Sequence, residues 1–393
     1  MKNIYIYYQN EDNFIGTVYV DFLRGKEIYS FEFSEYALRY NLCYLIFDNE
    51  ISNISGRQYK KDSSIPYSFL TDLAPDRWGK NLIQRNFDNE TLNFSDYLLN
   101  VSDISRMGAL RLKLDKNSLF VLEDKDIPPF KFINELEQAA YNYDKFSRND
   151  EWKVLLSPGS SLGGSRPKAT LYNNEGELYL AKFGHKDDEY DVSKIEYFTY
   201  LLAKNVGIDI SDSSFIEISN KRSVFLTKRF DRNKEERIHY VSFMTLFGAS
   251  DGDSSSYSYV DIAEKIQMIS KNPRFDLREL FKRVAFYILV HNFDDHLRNI
   301  GMLYKDGGYV LAPCFDVNVS FYKSHLTLTI DGSNDYSLNN LVSNSNYFGI
   351  KNDEAKEIVS NMKQIIKETY LKEASRLKID KNLLSKFEEF LLD

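Results

Sequence analysis

The stretch from residue 285 to residue 299 reads AFYILVHNFDDHLRN, and the rest of the chain is interpreted from it. An apolar run ends in a cluster of carboxylates, imidazoles, amides and one guanidinium. A dense polar cluster directly after a buried element predicts a catalytic or binding loop. A helix C-terminus alone explains His291 and Asn292. It does not explain Asp294 and Asp295, because negative charge is unfavourable at that end of a helix.

The composition indicates a globular protein with room for about two or three domains. Of 393 residues, 43% are hydrophobic and 27% are charged, which is close to average usage. The net charge of −8 disfavours non-specific binding of nucleic acid by the whole chain. The two cysteines, Cys43 and Cys314, lie far apart, so we expect a reducing compartment and no disulfide framework.

Targeting signals are not apparent in the sequence. The first residues, MKNIYIYYQNED, contain no apolar signal region. No window approaches the length of apolar residues that a membrane span needs. We therefore expect a cytoplasmic protein without membrane attachment.

The pattern of apolar residues predicts an α+β protein with three parts. Residues 1–125 alternate like strands in IYIYY, GTVYVDF and GKEIYSFEFS and form an α/β unit. Residues 126–231 form a strand-rich lobe with a Gly-rich loop and one helix. Residues 232–393 form a helical lobe, interrupted by a hairpin that turns at Asp306–Gly308.

Two helix starts are predicted from capping patterns. Ser193 and Glu196 have the spacing of a capping box, and Gly207 ends the same helix. Asp276 and Glu279 are expected to be the N-cap and third residue of the long helix that leads into residues 285–299.

The Gly-rich loop from Gly159 to Lys168 reads GSSLGGSRPK and is a candidate phosphate-binding loop. Glycines let backbone N–H groups approach phosphate oxygens, and a lysine supplies positive charge. It is not a Walker A loop, because Pro167 and Lys168 lead into a strand instead of a helix. An ordinary hairpin loop remains the alternative.

Lys182 and Glu196 are a candidate ion pair. Strand alternation places Lys182 with apolar neighbours, where a lysine either extends to solvent or meets an anion. Glu196 on the following helix is a candidate partner. A glutamate that caps its own helix cannot also hold Lys182, so these two interpretations compete.

Within residues 285–299, Asp294 lies in an apolar frame that suits a proton acceptor for a hydroxyl nucleophile. Asn299 offers a neutral oxygen ligand for Mg²⁺. Arg298 is expected to neutralise phosphate charge, and His296 to order the loop by hydrogen bonds. Asp295 is expected to point away from Asp294, so that the two carboxylates do not form a dyad.

Asp316 follows an apolar strand and a Pro turn in LAPCFDV. It is a candidate second metal ligand beside Asn299, and ligation by Asp and Asn suits Mg²⁺; a simple turn residue is the alternative. The order of these features is Gly-rich loop, strand Lys, helix Glu, Asp-x₄-Asn loop, hairpin and Asp. That order is the layout of a protein-kinase-type phosphotransferase.

The sequence resembles the HipA family of bacterial serine/threonine kinases over nearly the whole of residues 14–320. The resemblance rests on SSLGGSRPKATL, LAKF, IEYFTYLLAKNVGI, FLTKRFDR, NFDDHLRNIGML and LAPCFDV, in that order. Upstream, GTVYVDFLRGKEIYSFEFSEYAL, FLTDLAPDRWG and RMGAL resemble the N-terminal subdomain of the family.

The resemblance implies a bilobal protein-kinase-like fold with an appended N-terminal subdomain, and it assigns roles to individual residues. Asp294 would be the catalytic base, with Asn299 and Asp316 as Mg²⁺ ligands and Lys182 as the lysine that contacts ATP phosphates. The family often has an acidic residue where this chain has Lys228, which puts a side-chain contact there in doubt. The remaining nucleotide-binding residues would be Gly163, Gly164, Ser165, Arg166 and Lys168 in the phosphate loop and Lys228, Arg229 and Phe230 near adenine.

The resemblance also implies regulation and partners. Family members autophosphorylate a serine just ahead of the Gly-rich loop, which corresponds to Ser161, with Ser160 as a neighbouring candidate. They are typically toxins restrained by a helix-turn-helix antitoxin, which would make any DNA contact indirect, and one substrate type is an aminoacyl-tRNA synthetase. Two other functions remain open from the residues alone: a small-molecule phosphotransferase and a non-catalytic module that binds a partner.

Overall fold

The computed structural model describes residues 2–87, 90–123, 127–143, 150–159, 166–219, 222–234, 236–322 and 325–392. The strands are β1 Lys2–Tyr8, β2 Phe14–Leu23, β3 Lys26–Phe33, β4 Gln58–Tyr59, β5 Leu110–Lys113, β6 Lys168–Tyr172, β7 Leu178–Phe183, β8 Ser213–Ser219, β9 Arg222–Lys228, β10 Arg232–Asn233, β11 Glu236–Arg237, β12 His239–Ser242, β13 Gly301–Lys305 and β14 Gly308–Leu311.

The α-helices are α1 Glu35–Arg39, α2 Ser68–Leu73, α3 Arg77–Asn86, α4 Phe94–Leu99, α5 Ile133–Tyr141, α6 Leu156–Gly159, α7 Val192–Asn205, α8 Phe243–Phe247, α9 Tyr259–Ile269, α10 Pro273–Val290, α11 Leu338–Ser343, α12 Asn352–Leu377 and α13 Lys381–Leu392. Antiparallel strands and helices segregate along much of the chain, which confirms the α+β class.

The chain forms two compact units. Unit 1 comprises Met1–Asp187 and Lys228–Ala249, and unit 2 comprises Asp188–Thr227 and Ser250–Asp393. The three-part division at residues 125 and 231 remains a prediction.

Unit 1 contains an antiparallel sheet in the order β4-β3-β2-β1-β5. The three strands predicted from alternation are confirmed as β1, β2 and β3. Ile4 of β1 lies opposite Val18 of β2, and both side chains are fully buried. Unit 1 also contains the antiparallel pair β6 and β7, in which Lys168 lies opposite Lys182.

Unit 2 is built around α10, most of whose side chains are buried. The predicted start of this helix is wrong: Asn272 is the N-cap and Pro273 is the first helical residue. Proline suits that position because its φ is already helical and it has no N–H to satisfy. Asp276 instead lies inside the first turn, where its buried carboxylate accepts hydrogen bonds from Ser270 Oγ at 2.6 Å and Leu311 N–H at 3.0 Å.

The capping prediction for α7 is also wrong. Asp191 is the N-cap, and its carboxylate accepts a hydrogen bond from the backbone N–H of Lys194 at 3.1 Å. Ser193 is therefore already inside the helix. The predicted helix end is confirmed, because Gly207 follows the C-cap with a φ of 72°.

The predicted hairpin is confirmed as β13 and β14, which pair from Met302 opposite Leu311 to Lys305 opposite Gly308. Asp306 and Gly307 both have positive φ at its turn, as a two-residue hairpin turn of type I′ requires. Within the described ranges, no helix combines the length and the apolar character needed to cross a bilayer.

Candidate active site

The loop that follows α10 separates its two adjacent aspartates. The helix ends at His291, which adopts the left-handed conformation at φ 54°, so the sequence interpretation of this residue as a helix end is confirmed. Asp294 is exposed, whereas Asp295 is only 2% exposed. The two carboxylates therefore face different surroundings, as the sequence predicts.

Asn299 is held in the same loop by two hydrogen bonds. Its side-chain Nδ2 donates to the backbone oxygen of Asp294 at 3.0 Å, and its backbone N–H donates to the carbonyl of His296 at 2.9 Å. The side-chain nitrogen must face Asp294 because a carbonyl can only accept. The amide oxygen of Asn299 is thereby left on the other side, available to a cation.

Arg298 extends from the loop to Asp251, with Nη2 2.7 Å from Oδ1. The side chain of Asp251 is mostly exposed, so solvent weakens this pair. The loop is also anchored by the backbone N–H of Leu297, which donates to Ser254 Oγ at 3.2 Å. Neither partner was identified from the sequence, because each lies more than forty residues away.

Asp316 has a φ of 57°, an uncommon conformation for a residue other than glycine. The chain just before it is fixed, since Cys314 N–H donates to the carbonyl of Asp209 at 2.7 Å. The Cys314 Sγ also lies 3.0 Å from the hydroxyl of Tyr287 on α10. Such a conformation persists at a residue other than glycine only where the surrounding structure enforces it.

Hydrogen bonds join the loop of Asp316 to the loop of Asp294, and Phe293 N–H donates to Ser320 Oγ at 3.4 Å. Asn318 N–H donates to the side-chain oxygen of Asn292 at 3.0 Å, and Ser320 N–H donates to the carbonyl of His291 at 2.8 Å. Asn292 is buried, so it links the loops in addition to ending the helix. Unit 2 therefore brings the segments of the predicted base and of both predicted metal ligands together.

These residues fit a magnesium ion chemically. Asn299 and Asp316 offer amide and carboxylate oxygens, the donors that Mg²⁺ prefers. Over the described part of the chain, no group of three or more His, Cys, Asp or Glu side chains is arranged as a metal site. Two protein ligands are nevertheless enough for Mg²⁺, which normally keeps water or phosphate oxygens as its other ligands.

In unit 1, Lys168 and Lys182 are directly opposite each other on β6 and β7. Their exposed fractions are 3% and 7%. Like charges directly opposite each other repel, so this register places two buried lysines side by side on the sheet. Arg166, which precedes β6, is exposed.

Glu196 is a buried residue of α7. Because Asp191 caps the helix, the interpretation of Glu196 as a capping-box residue is removed. Five predicted residues lie outside the described residues: Gly163, Gly164, Ser165, Ser160 and Ser161.

Arg229 belongs to a buried ionic network in unit 1. Its Nε and Nη2 each lie 2.7 Å from a carboxylate oxygen of Asp231, which also accepts from Arg232 Nη1 at 2.6 Å and from Gly108 N–H at 2.7 Å. Burial alone raises the pKa of Asp231, but the two guanidinium groups and these hydrogen bonds hold it well below its usual range. The guanidinium of Arg229 is thus occupied within the protein.

The other two residues predicted near adenine have their own contacts in unit 1. Lys228 Nζ lies 2.5 Å from Glu177 Oε1, and the ring of Phe230 is 5.7 Å from that of Tyr240. The role of Asp231 was missed from the sequence. The motif KRFDR could have indicated it, because an aspartate between arginines predicts an ion pair. The glycine of RMGAL supplies the backbone N–H of the network.

A sequence profile described as HipA-like C-terminal domain matches residues 160–370, more than half of the chain. The chain belongs to the HipA-like family. This HipA-like chain is 29% identical over 202 residues to a protein of Haemophilus influenzae named "Putative kinase". It is 27% identical over 178 residues to a protein of Sinorhizobium fredii named "Putative kinase Y4mE". The matches cover 45% and 40% of this chain but only 58% and 41% of those relatives.

Among solved structures, the HipA-like chain is similar to Shewanella oneidensis HipA, determined in a complex with HipB and its operator DNA. The TM-score is 0.72 at 17% identity, and the match covers 99% of this chain and 95% of the Shewanella chain. The similarity extends over essentially the whole chain and confirms the fold that the sequence resemblance implies.

Proposed function

We propose that the chain is an ATP- and Mg²⁺-dependent protein serine/threonine kinase that acts as the toxin of a toxin–antitoxin pair. The observation that carries this proposal is the loop after α10. There Asp294 presents an exposed carboxylate, and the side-chain amide of Asn299 is oriented by donating from Nδ2 to the backbone oxygen of Asp294 at 3.0 Å. A proton acceptor and a metal ligand fixed to each other are what phosphoryl transfer to a hydroxyl group needs.

In the proposed reaction Asp294 accepts the proton of the substrate hydroxyl as its oxygen bonds to the γ-phosphorus of ATP. The bond between that phosphorus and the bridging oxygen breaks, and ADP leaves. Asn299 and Asp316 would hold Mg²⁺, which would neutralise phosphate charge. His296 supports the loop through its carbonyl, and Arg298 adds positive charge next to it.

Phosphate binding is assigned to the buried pair Lys168 and Lys182, assisted by Arg166. Gly163, Gly164 and Ser165 are proposed to supply backbone N–H groups to the phosphates. Glu196 is proposed as a further residue of the nucleotide-binding site. For adenine we propose contacts from the backbone of Lys228, Arg229 and Phe230, because the side chains of the two cations are engaged with Glu177 and Asp231.

Regulation and partners follow from the family. We propose autophosphorylation at Ser161, or at its neighbour Ser160, and restraint by a helix-turn-helix antitoxin. Support for the partner comes from the Shewanella protein, which was determined with HipB and operator DNA. The net charge of −8 favours DNA contact only through such a partner. A protein such as an aminoacyl-tRNA synthetase is the proposed substrate.

The test is phosphate transfer by an Asp294→Ala variant. Incubation of the wild-type chain with Mg²⁺-ATP should add the mass of a phosphoryl group, detected by intact mass spectrometry. Asp294→Ala should abolish this gain while the circular dichroism spectrum is unchanged. Asp353→Ala, which replaces a fully exposed aspartate of unit 2, serves as the control and should retain transfer. Full transfer by Asp294→Ala would contradict the assignment.

A further inference from the structure

Asp295 makes several buried contacts that the proposed reaction does not use. Its carboxylate accepts hydrogen bonds from the Tyr259 hydroxyl at 2.7 Å and from Thr327 N–H at 2.6 Å. The N–H of Leu328 approaches it at 3.4 Å. Since Asp295 is adjacent to Asp294, these contacts fix the chain at the proposed base.

Thr327 contacts the loop on both sides of Asp294. Its backbone N–H donates to Asp295, and its hydroxyl donates to the carbonyl of Phe293 at 2.8 Å. The residues immediately before and after the proposed base are therefore both bonded to one threonine. Two such attachments restrict rotation of the backbone that carries the Asp294 side chain.

The segment that contains Thr327 is itself anchored. Tyr259 N–H donates to the carbonyl of Thr329 at 2.9 Å, and Val260 N–H donates to that of Ile330 at 3.1 Å. Thr329 N–H donates in turn to the carbonyl of Tyr257 at 3.2 Å. The loop is thus tied to the first turn of α9, and a helix is a more rigid support than another loop.

We propose that Asp295 is a positioning residue, which together with Thr327 holds Asp294 in the orientation needed to accept the substrate proton. The inference rests on the proposed function, because it assigns a task to Asp295 only if Asp294 is the base. A misplacement of about 1 Å in a reacting group can lower a rate by about 10²-fold.

A charged group is a costly way to connect two loops, since a buried carboxylate gives up its hydration. Burial raises the pKa of Asp295 to about 7, although the hydrogen bonds from Thr327, Tyr259 and Leu328 act in the opposite direction. The buried carboxylate of Asp295 thus lowers the stability of the fold. Its position next to the proposed base indicates that it serves function instead.

The experiment compares Asp295→Asn with Asp276→Asn. Asp276 is the matched control, because it is also 2% exposed and accepts from one hydroxyl and one backbone N–H, from Ser270 and Leu311. Asparagine has one acceptor oxygen, so at position 295 its amide nitrogen must face at least one donor. We measure the dissociation constant of Mg²⁺-ATP by calorimetry and the rate of ³²P incorporation into the full chain at saturating ATP.

Asp295→Asn should lower the transfer rate about 100-fold while the dissociation constant for Mg²⁺-ATP stays within about threefold of the wild type. Asp276→Asn should change neither quantity. Thr327→Val keeps the backbone N–H but removes the bond to Phe293, and should lower the rate by a smaller factor. It serves as the decisive variant if Asp295→Asn does not fold.

Each outcome separates the two proposals. A wild-type chain that transfers no phosphate would overturn the proposed function itself. A wild-type chain that transfers phosphate, with Asp295→Asn or its substitute Thr327→Val equally active, would overturn only the positioning role. That role would also be refuted if Asp276→Asn lost as much rate as Asp295→Asn, or if Asp295→Asn lost ATP affinity in parallel with rate.

Discussion

Replacing Asp231 with Asn should destabilise unit 1 by about 3–5 kcal/mol, the usual effect of removing one partner from a buried charge pair. Asp231 is fully buried, and the side chains of Arg229 and Arg232 are only 4% and 8% exposed. The carboxylate accepts four hydrogen bonds at 2.6–2.7 Å. The variant amide has a single acceptor oxygen and turns its nitrogen toward these donors, so both guanidinium groups lose their charge partner without gaining water.

Tryptophan fluorescence during urea denaturation measures this loss. The two tryptophans of the chain, Trp78 and Trp152, are buried in unit 1, so their emission follows the unit that contains Asp231. The control is Asp21→Asn, whose wild-type side chain is 43% exposed and lies 2.9 Å from Arg57. An exposed pair of this kind contributes at most about 1 kcal/mol.

The sign of the pH dependence gives a second check on Asp231. Its pKa is lower in the folded protein than in the unfolded chain, so its stabilisation is present above the unfolded pKa and is lost as pH falls below it. The difference between wild type and Asp231→Asn should therefore shrink on acidification. If Asp231→Asn lowered the free energy of unfolding at neutral pH no more than Asp21→Asn does, the reasoning would be refuted.

Three further predictions concern α6 and the loop after α10. Gly159→Ala should lower the free energy of unfolding by about 1–3 kcal/mol in urea titrations, because its Cβ would lie 2.8 Å from Leu82 Cδ1 and 2.9 Å from the carbonyl of Lys168; no change would show that the chain shifts freely there. The pKa of Asp295 is raised to about 7 in the folded protein. The stabilisation that comes from its protonated form is complete below the unfolded pKa and is lost as pH rises to the folded pKa. Circular dichroism should show wild type losing stability relative to Asp295→Asn between about pH 4 and 7, and equal slopes would contradict this. Asn299→Ala should raise the Mg²⁺ concentration for half-maximal phosphate transfer at least about tenfold, and an unchanged requirement would exclude it as a ligand.

Tyr259 and Tyr287 interact electrostatically with Asp295, and Cys314 lies against Tyr287. The ordinary pKa values of these two hydroxyls and this thiol are already basic, and burial raises each pKa further. None of these three groups changes charge between about pH 4 and 7, so none of them contributes to the slope difference.

Local sequence patterns were sufficient for elements that depend on neighbouring residues. Alternation predicted β1, β2 and β3, and the turn residues Asp306 and Gly307 predicted the hairpin. Capping was not predictable in the same way. Asp276 has the right residue type and spacing for an N-cap, but its carboxylate is used by Leu311, 35 residues later.

The candidate site shows the same difference between local sequence patterns and contacts that are distant in sequence. Asp294 and Asn299 could be identified because polar residues after an apolar helix form a local pattern. The residues that orient them could not, since Asp295 contacts Tyr259 and Thr327 at separations of 36 and 32 residues. Partners at that distance in sequence depend on the tertiary fold.

The hydrogen bonds between residues 291–293 and 318–320 also have a dynamic consequence. Two loops joined by Asn292 to Asn318 and by His291 to Ser320 should open together in hydrogen-exchange measurements, as one cooperative unit. The proposed base and metal ligands would then become disordered in a single step. A regulator that released either loop would switch off both functions at once.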